Sequence, residues 1–227
     1  MNAALRHLEQ FAAKPLCFSC KPTKRPGTGA ASEAGYPSAR TRVLNHVSHK
    51  LNSPLTAAGE RLLRKHAGQF VDQFLPIYRA HNGFSLYKDE QSDAIGFEML
   101  PVQRWAETNA EFKAWVASMP TEQDPAQLRD GLAFGSIPES PDGFVMALKG
   151  KYAGKIFLFR HDDTYMPPFA NNFGALIHRV TEKPVELLTK VFGGYYQCAH
   201  NGRRIWVPDR VVEAATDAPK VRTRRLR

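Results

Sequence analysis

Cysteine is scarce in this sequence, and its scarcity limits the compartment and the chemistry of the chain. The 227 residues contain three cysteines, Cys17, Cys20 and Cys198. Secreted proteins held together by disulfides use cysteine far more densely, so no disulfide framework is indicated. No apolar run approaches the ~20 residues that a membrane helix needs. Charged and polar side chains interrupt the first residues, unlike a signal peptide. These absences predict a cytoplasmic protein with no membrane partner.

The motifs that mark several common enzyme classes are also missing. The sequence has no Gly-x-Ser-x-Gly nucleophile elbow, no His-Glu-x-x-His zinc motif and no P-loop. The cluster His161, Asp162 and Asp163 can serve as an acid–base or metal-binding centre. The same residues after a predicted strand are typical of a solvated turn. The sequence therefore predicts a protein without catalytic activity or cofactor, and a metal-dependent hydrolase around His161–Asp163 is an alternative.

Positive charge is present in excess, but only at the two ends of the chain. The net charge is +9. Residues 1–54 hold eight basic and two acidic side chains, residues 209–227 hold six and three, and residues 55–208 hold 17 of each. The ends are therefore basic and the middle is neutral.

This charge distribution predicts three parts of the chain. Residues 1–54 are rich in Pro and Gly and are expected to form a basic, flexible extension. Residues 55–208 are expected to form the folded domain, and residues 209–227 a basic tail. Nucleic-acid binding by the basic ends is an alternative function, because lysine and arginine neutralise phosphates without reading sequence.

The central part alternates between helical and strand patterns. Helical spacing of apolar residues begins after Thr56, a suitable N-cap, and stops at Asn82-Gly83, which accept the left-handed conformation. Residues 132–137, 144–148 and 155–160 read as three strands joined by tight turns, which is an antiparallel meander. The sequence predicts an α+β fold with an antiparallel sheet of about four to six strands and helices packed mainly on one face.

The order of four short motifs resembles that of a known superfamily. A helix carries Leu75-Pro76 and ends at Asn82-Gly83, and a strand then ends at Leu100-Pro101 before a helix. The three-strand meander follows and ends in an acidic turn, and Phe173 lies near the start of a final helix. In this order, over residues 55–190, the chain resembles the SUKH superfamily of fungal cell-wall-synthesis regulators and bacterial immunity proteins.

The resemblance implies a non-catalytic domain that binds a protein partner. In bacterial members that partner is often a toxin domain, which the immunity protein neutralises by covering it. Acidic side chains in two predicted loops are then candidates for contacting a basic partner such as a nuclease: Asp89, Glu90, Asp93, Asp162 and Asp163.

Two further sets of residues have open interpretations. Cys17-x-x-Cys20 supplies two zinc ligands, and Cys198 and His200 can supply two more if the fold brings them together. Without that convergence, Cys17 and Cys20 are two free thiols. Trp105, Trp115 and Trp206 are candidate anchors for a partner, although most large aromatic residues in a domain of this size belong to the core.

Overall fold

One antiparallel sheet organises the chain. A computed structural model describes residues 2–22, 40–90, 96–118, 128–138, 140–161, 163, 166–191 and 206–212. The strands in chain order are β1 (Leu16–Pro22), β2 (Val43–Leu51), β3 (Phe84–Asp89), β4 (Phe97–Met99), β5 (Leu132–Ser136), β6 (Gly143–Met146), β7 (Ile156–Phe159), β8 (Pro168–Ala170) and β9 (Trp206–Val212). They lie side by side in the order β8-β7-β6-β5-β4-β3-β2-β1-β9.

Five helices of ten residues or more accompany the sheet among the described residues. They are α1 (Ala3–Ala12), α2 (Ala57–Ala67), α3 (Val71–Ala80), α4 (Trp105–Ser118) and α5 (Phe173–Glu182). As expected, Thr56 caps α2, because its Oγ1 accepts a hydrogen bond from the Gly59 N–H at 3.1 Å. No helix in the described ranges is long and apolar enough to cross a bilayer.

The predicted α+β class and the antiparallel sheet are confirmed, but the predicted strand number is wrong. The described sheet has nine strands, not four to six. The missed strands are β1, β2, the three-residue β8 and most of β9. Proline, glycine and positive charge dominate residues 1–54 as a whole and obscure the two strand segments within them.

The N-terminal segment consequently differs from the expected flexible extension where it is described. Strand β1 pairs with β2 on one side and with β9 on the other, so it lies inside the sheet. Phe18 and Cys20 in β1 are fully buried, and Leu8 of α1 is too. Burial of these apolar side chains offsets the chain entropy that the composition suggested would dominate.

The first face of the sheet carries the main core. Helices α1, α2, α3 and α5 contribute to this core, together with the start of α4. At its centre Phe74 contacts Trp105 and Phe173, with ring centroids 5.3 and 4.7 Å apart. The Tyr78 hydroxyl and the Trp105 indole N–H both donate to the Leu100 carbonyl at 3.0 Å. The polar groups of these two buried side chains are therefore both hydrogen-bonded.

The Asn82-Gly83 turn behaves as the sequence predicts. Gly83 has φ +85°, in the left-handed region that favours glycine. The Asn82 side chain accepts a hydrogen bond from the Val102 N–H at 3.0 Å and donates to Gln103 at 2.8 Å. The end of α3 is thereby tied to the segment that leads into α4.

The second face of the sheet is covered over β5, β6 and β7 by α4. Alternate residues on these strands point away from the main core and form a second apolar cluster, which includes Ala133, Val145 and Phe159. Phe112 and Val116 of α4 complete that cluster. The fold therefore has helices on both faces of the sheet, and α4 packs on the second face over β5, β6 and β7.

Asn109 of α4 replaces a strand partner for β5. Its Nδ2 donates to the Ala133 carbonyl at 2.7 Å, and its Oδ1 accepts from the Ala133 N–H at 2.9 Å. Strand β4 ends at Met99, and on β5 it pairs with Gly135 and Ser136 but not with Ala133, so this amide continues the hydrogen bonding along the edge of β5.

We expect Asn109→Asp to lower the free energy of unfolding by about 2 kcal/mol, because it leaves the buried Ala133 carbonyl facing a carboxylate oxygen in place of a donor. Asn109→Gln keeps both amide groups but displaces them, and should cost less. Urea unfolding of the two variants measures the difference. Equal, small losses in both would show that the paired contact does not stabilise the fold.

Candidate functional site

A groove opens on the second face between α4 and the β5–β6 turn. It has a volume of about 190 Å³. Its lining residues come from one stripe of α4 and from strands β5 to β7 with the turn between β5 and β6: Thr108, Glu111, Phe112, Trp115, Ala133, Gly135, Ser136, Ser140, Pro141, Asp142, Gly143, Val145 and Phe159. A protein cavity of about 150 Å³ accommodates benzene, so the groove is large enough for one large side chain.

A glycine lets β5 and β6 lie close together at one end of the groove. A Cβ on Gly143 would lie 2.5 Å from the Gly135 carbonyl oxygen. No side chain therefore fits between the β5 backbone and the start of β6. The walls are aromatic, since Trp115 meets Phe159 edge to face with centroids 4.9 Å apart. Trp115 is half-buried, with part of its ring on the surface.

Asp142 and His161 join the turn to the end of β7. Asp142 Oδ1 accepts hydrogen bonds from the His161 backbone N–H at 3.0 Å and from His161 Nδ1 at 2.8 Å. The Asp142 side chain is 16 % exposed and that of His161 is 44 % exposed. The imidazole also faces the edge of Trp115, with centroids 6.4 Å apart. The turn that forms one rim of the groove is thus held by a charged side chain with two hydrogen bonds.

The charge of the groove is opposite to that of the whole chain. Among the described residues that line it, the charged ones are Glu111 and Asp142, both acidic, although the chain carries a net charge of +9. Glu111 is exposed on α4. The site thus combines an apolar floor with a negative rim.

The structure separates the acidic residues that the sequence grouped together. Asp89 is 5 % exposed and accepts a hydrogen bond from Asn45 at 3.2 Å, whereas Glu90 is exposed. Asp163 follows β7, four strands away from β3 in the sheet, which is about 19 Å at the usual strand spacing. Asp93 and Asp162 lie outside the described residues. The described acidic groups are therefore not one continuous patch.

The Cys-x-x-Cys motif lies along one strand, and its two thiols point to opposite faces. Cys20 belongs to the main core, and Cys17 approaches His46 on the other face, with Sγ 3.9 Å from Nε2. Residues three apart in a strand cannot share a metal ion. Burial raises the pKa of Cys20 to about 12 and also raises the pKa of Cys17, so both thiols stay protonated at neutral pH.

The rest of that candidate metal set, Cys198 and His200, lies outside the described residues. Within the part of the chain that the structure describes, no three His, Cys, Asp or Glu side chains are grouped to hold a metal ion.

The three tryptophans take three different positions. Trp105 is fully buried in the main core, and Trp206 is half-buried against that core. Trp115 lines the groove. Sequence reasoning did not distinguish them and missed the groove, although Thr108, Glu111 and Trp115 have the spacing of a single helix face, which is the signal that could have found it.

Comparison with protein-family models and with curated proteins finds no match for this chain.

Proposed function

We propose that this chain is a non-catalytic protein-binding module, and that its docking site is the groove between α4 and the β5–β6 turn. The partner inserts one large aliphatic or aromatic side chain and presents a lysine or arginine beside it. The observation that carries the proposal is an apolar, aromatic-walled groove whose charged lining, among the described residues, is acidic.

In protein interfaces, apolar and charged residues have different roles. A buried apolar anchor in a pocket supplies most of the affinity, and charges at the rim favour one class of partner. Phe112, Val145 and Phe159 form a rigid floor, because they belong to the second apolar cluster. Glu111 and Asp142 then favour a basic neighbour to the anchor.

The resemblance to SUKH immunity proteins supports a specific partner, a toxin domain whose catalytic or docking surface is basic. A nuclease fits this description, because its substrate is an anion. Binding a basic surface through the groove would occlude it without any chemical step. The alternative of nucleic-acid binding depends on the basic ends, and half of their basic side chains lie outside the described ranges.

A peptide-display selection on the immobilised full chain tests the proposal. We expect enrichment of peptides in which Trp, Phe, Leu or Met neighbours Lys or Arg. Binding of the best peptide, measured by calorimetry, should weaken about tenfold or more in Thr108→Trp, which fills the groove, and in Glu111→Lys, which reverses its charge.

Glu107→Lys is the matched control, because it makes the same charge change at an exposed position of α4 that does not line the groove. It should bind within about twofold of the unmodified chain. Peptides without the expected pairing, or full binding by Thr108→Trp, would contradict the proposal. A toxin domain encoded by the adjacent reading frame is the first natural partner to test with the same variants.

A further inference from the structure

Helix α1 is held against the domain through histidines on three different elements. His7 of α1 contacts α5, with Nε2 2.7 Å from Thr181 Oγ1. His81, at the end of α3, places Nε2 3.0 Å from Glu9 Oε1. His49 of β2 lies under the helix, with its ring centroid 4.7 Å from that of Phe11. Two residues of α1 are buried, Ala4 and Leu8.

His49 is placed so that a second proton on its ring has no favourable position. Its Nδ1 accepts a hydrogen bond from the Tyr87 backbone N–H at 3.0 Å, so the proton of the neutral ring lies on Nε2. That Nε2 is buried without a hydrogen-bond partner among the described residues. A proton added to Nδ1 would point at the Tyr87 N–H and break that bond. The ring is therefore neutral in this packing, in which Phe11 of α1 lies against it.

We propose that α1 is an acid-released segment, which leaves its site between α3 and α5 when His7 and His49 become protonated. The hinge is the short stretch of residues 13–15 between α1 and β1, so release leaves the strands of the sheet paired. Protonation triggers the release. The two histidine rings are partly buried when α1 is docked and exposed to solvent when it is released.

The direction of the pH dependence follows from the surroundings of each ring. Burial lowers the pKa of His49 from 6.5 to about 4. Burial, followed by the nearby His178, lowers the pKa of His7, and Glu182 opposes this in part. Well above pH 6.5 the two rings are neutral in both the docked and the released state. Below it, a solvated ring takes a proton and the docked ring does not, so docking weakens as the pH falls towards 4.

His81 acts in the opposite direction but is too weak to reverse the outcome. Its Nδ1 lies 3.2 Å from the Asn52 carbonyl oxygen and its Nε2 3.0 Å from Glu9 Oε1, so both ring nitrogens face acceptors and a charged ring satisfies both. This ion pair is only partly exposed, with 19 % of the His81 side chain and 39 % of the Glu9 side chain accessible, and it favours docking by about fivefold. His49 alone favours release by up to about thirtyfold at pH 5, from its free and docked pKa values. The other titratable ring against His49 is that of Tyr87, which is neutral throughout this range because burial raises its pKa.

Hydrogen exchange on the full chain tests the proposal, after correction for the intrinsic pH dependence of exchange. Between about pH 7.5 and about pH 5, protection of the α1 amides should fall at least about tenfold more than that of β5 and β6. The double variant His7→Gln, His49→Asn should lose this difference, since the amide oxygen introduced at position 49 can still accept from the Tyr87 N–H. Its protection of α1 at the higher pH shows whether the helix still docks.

His66→Gln is the matched control, because burial also lowers the pKa of His66, which lies on α2 against Trp105 and away from α1. It should keep the acid response of α1. The proposal is overturned if α1 keeps its protection at about pH 5, if all elements lose protection together, or if the double variant, with α1 docked, still releases it.

Discussion

Gly83→Ala is expected to lower the free energy of unfolding by about 3 kcal/mol, which combines a left-handed backbone penalty with a steric clash. Gly83 has φ +85°, and a Cβ there would overlap the Met99 carbonyl oxygen and the following peptide. The clash is with backbone atoms of the segment between β4 and α4, which cannot rotate aside. The turn and the start of α4 would have to separate, and with them the Asn82 contact to Val102.

Gly150→Ala is the matched control for this prediction. Gly150 has φ +73°, but a Cβ there meets no atom within 4 Å. It should therefore cost only the backbone penalty of about 1 kcal/mol. Urea unfolding of the two variants separates the two contributions. Similar losses for both would show that the Gly83 turn can move away from Met99 at little cost.

Trp105→Ala is expected to cost about 3 to 5 kcal/mol, the range for removing a large aromatic side chain from a core. Trp105 is fully buried, contacts Phe74, Tyr78 and Phe134, and donates a hydrogen bond to Leu100. Its removal would leave a cavity where α3, α4 and the sheet meet. The free energy of unfolding in urea gives the size of this effect.

Trp115→Ala, ten residues further along the same helix, should affect peptide binding more than stability, whereas Trp105→Ala affects mainly stability. Its ring is partly exposed at the groove, so we expect a loss of stability of about 1 kcal/mol and a loss of peptide binding of at least about tenfold. Trp105→Leu, which keeps much of the apolar volume, should bind normally if it folds. Comparable stability losses at Trp105 and Trp115 would contradict the assignment of one to the core and the other to the site.

The sequence predicts the elements whose signals are local. The meander of β5, β6 and β7 comes from alternating apolar runs and tight turns, and the cap at Thr56 and the turn at Gly83 come from residues with narrow backbone preferences. Each of these signals spans fewer than about ten residues. They gave the antiparallel α+β class correctly.

The missed features depend on residues that are distant in the chain. Strand β1 is stabilised by pairing with β9, and neither segment indicates the other in the sequence. The groove requires Glu111 of α4 to meet Asp142 of a turn, which only the packing of α4 on the second face brings about. The sequence groups His161 with Asp162 and Asp163, but in the structure His161 pairs with Asp142, nineteen residues away in the chain, which the sequence pattern does not indicate.

The position of β1 in the sheet has a consequence for biosynthesis. Cys17 in β1 pairs with Val212 in β9, so β1 waits for its second neighbour until the distant segment Trp206–Val212 has also left the ribosome. Until then β1 exposes an unpaired backbone edge that another nascent chain can join. Slowing translation of the segment between β2 and β9 should therefore increase aggregation of this protein, and a chaperone that shields strand edges should prevent it.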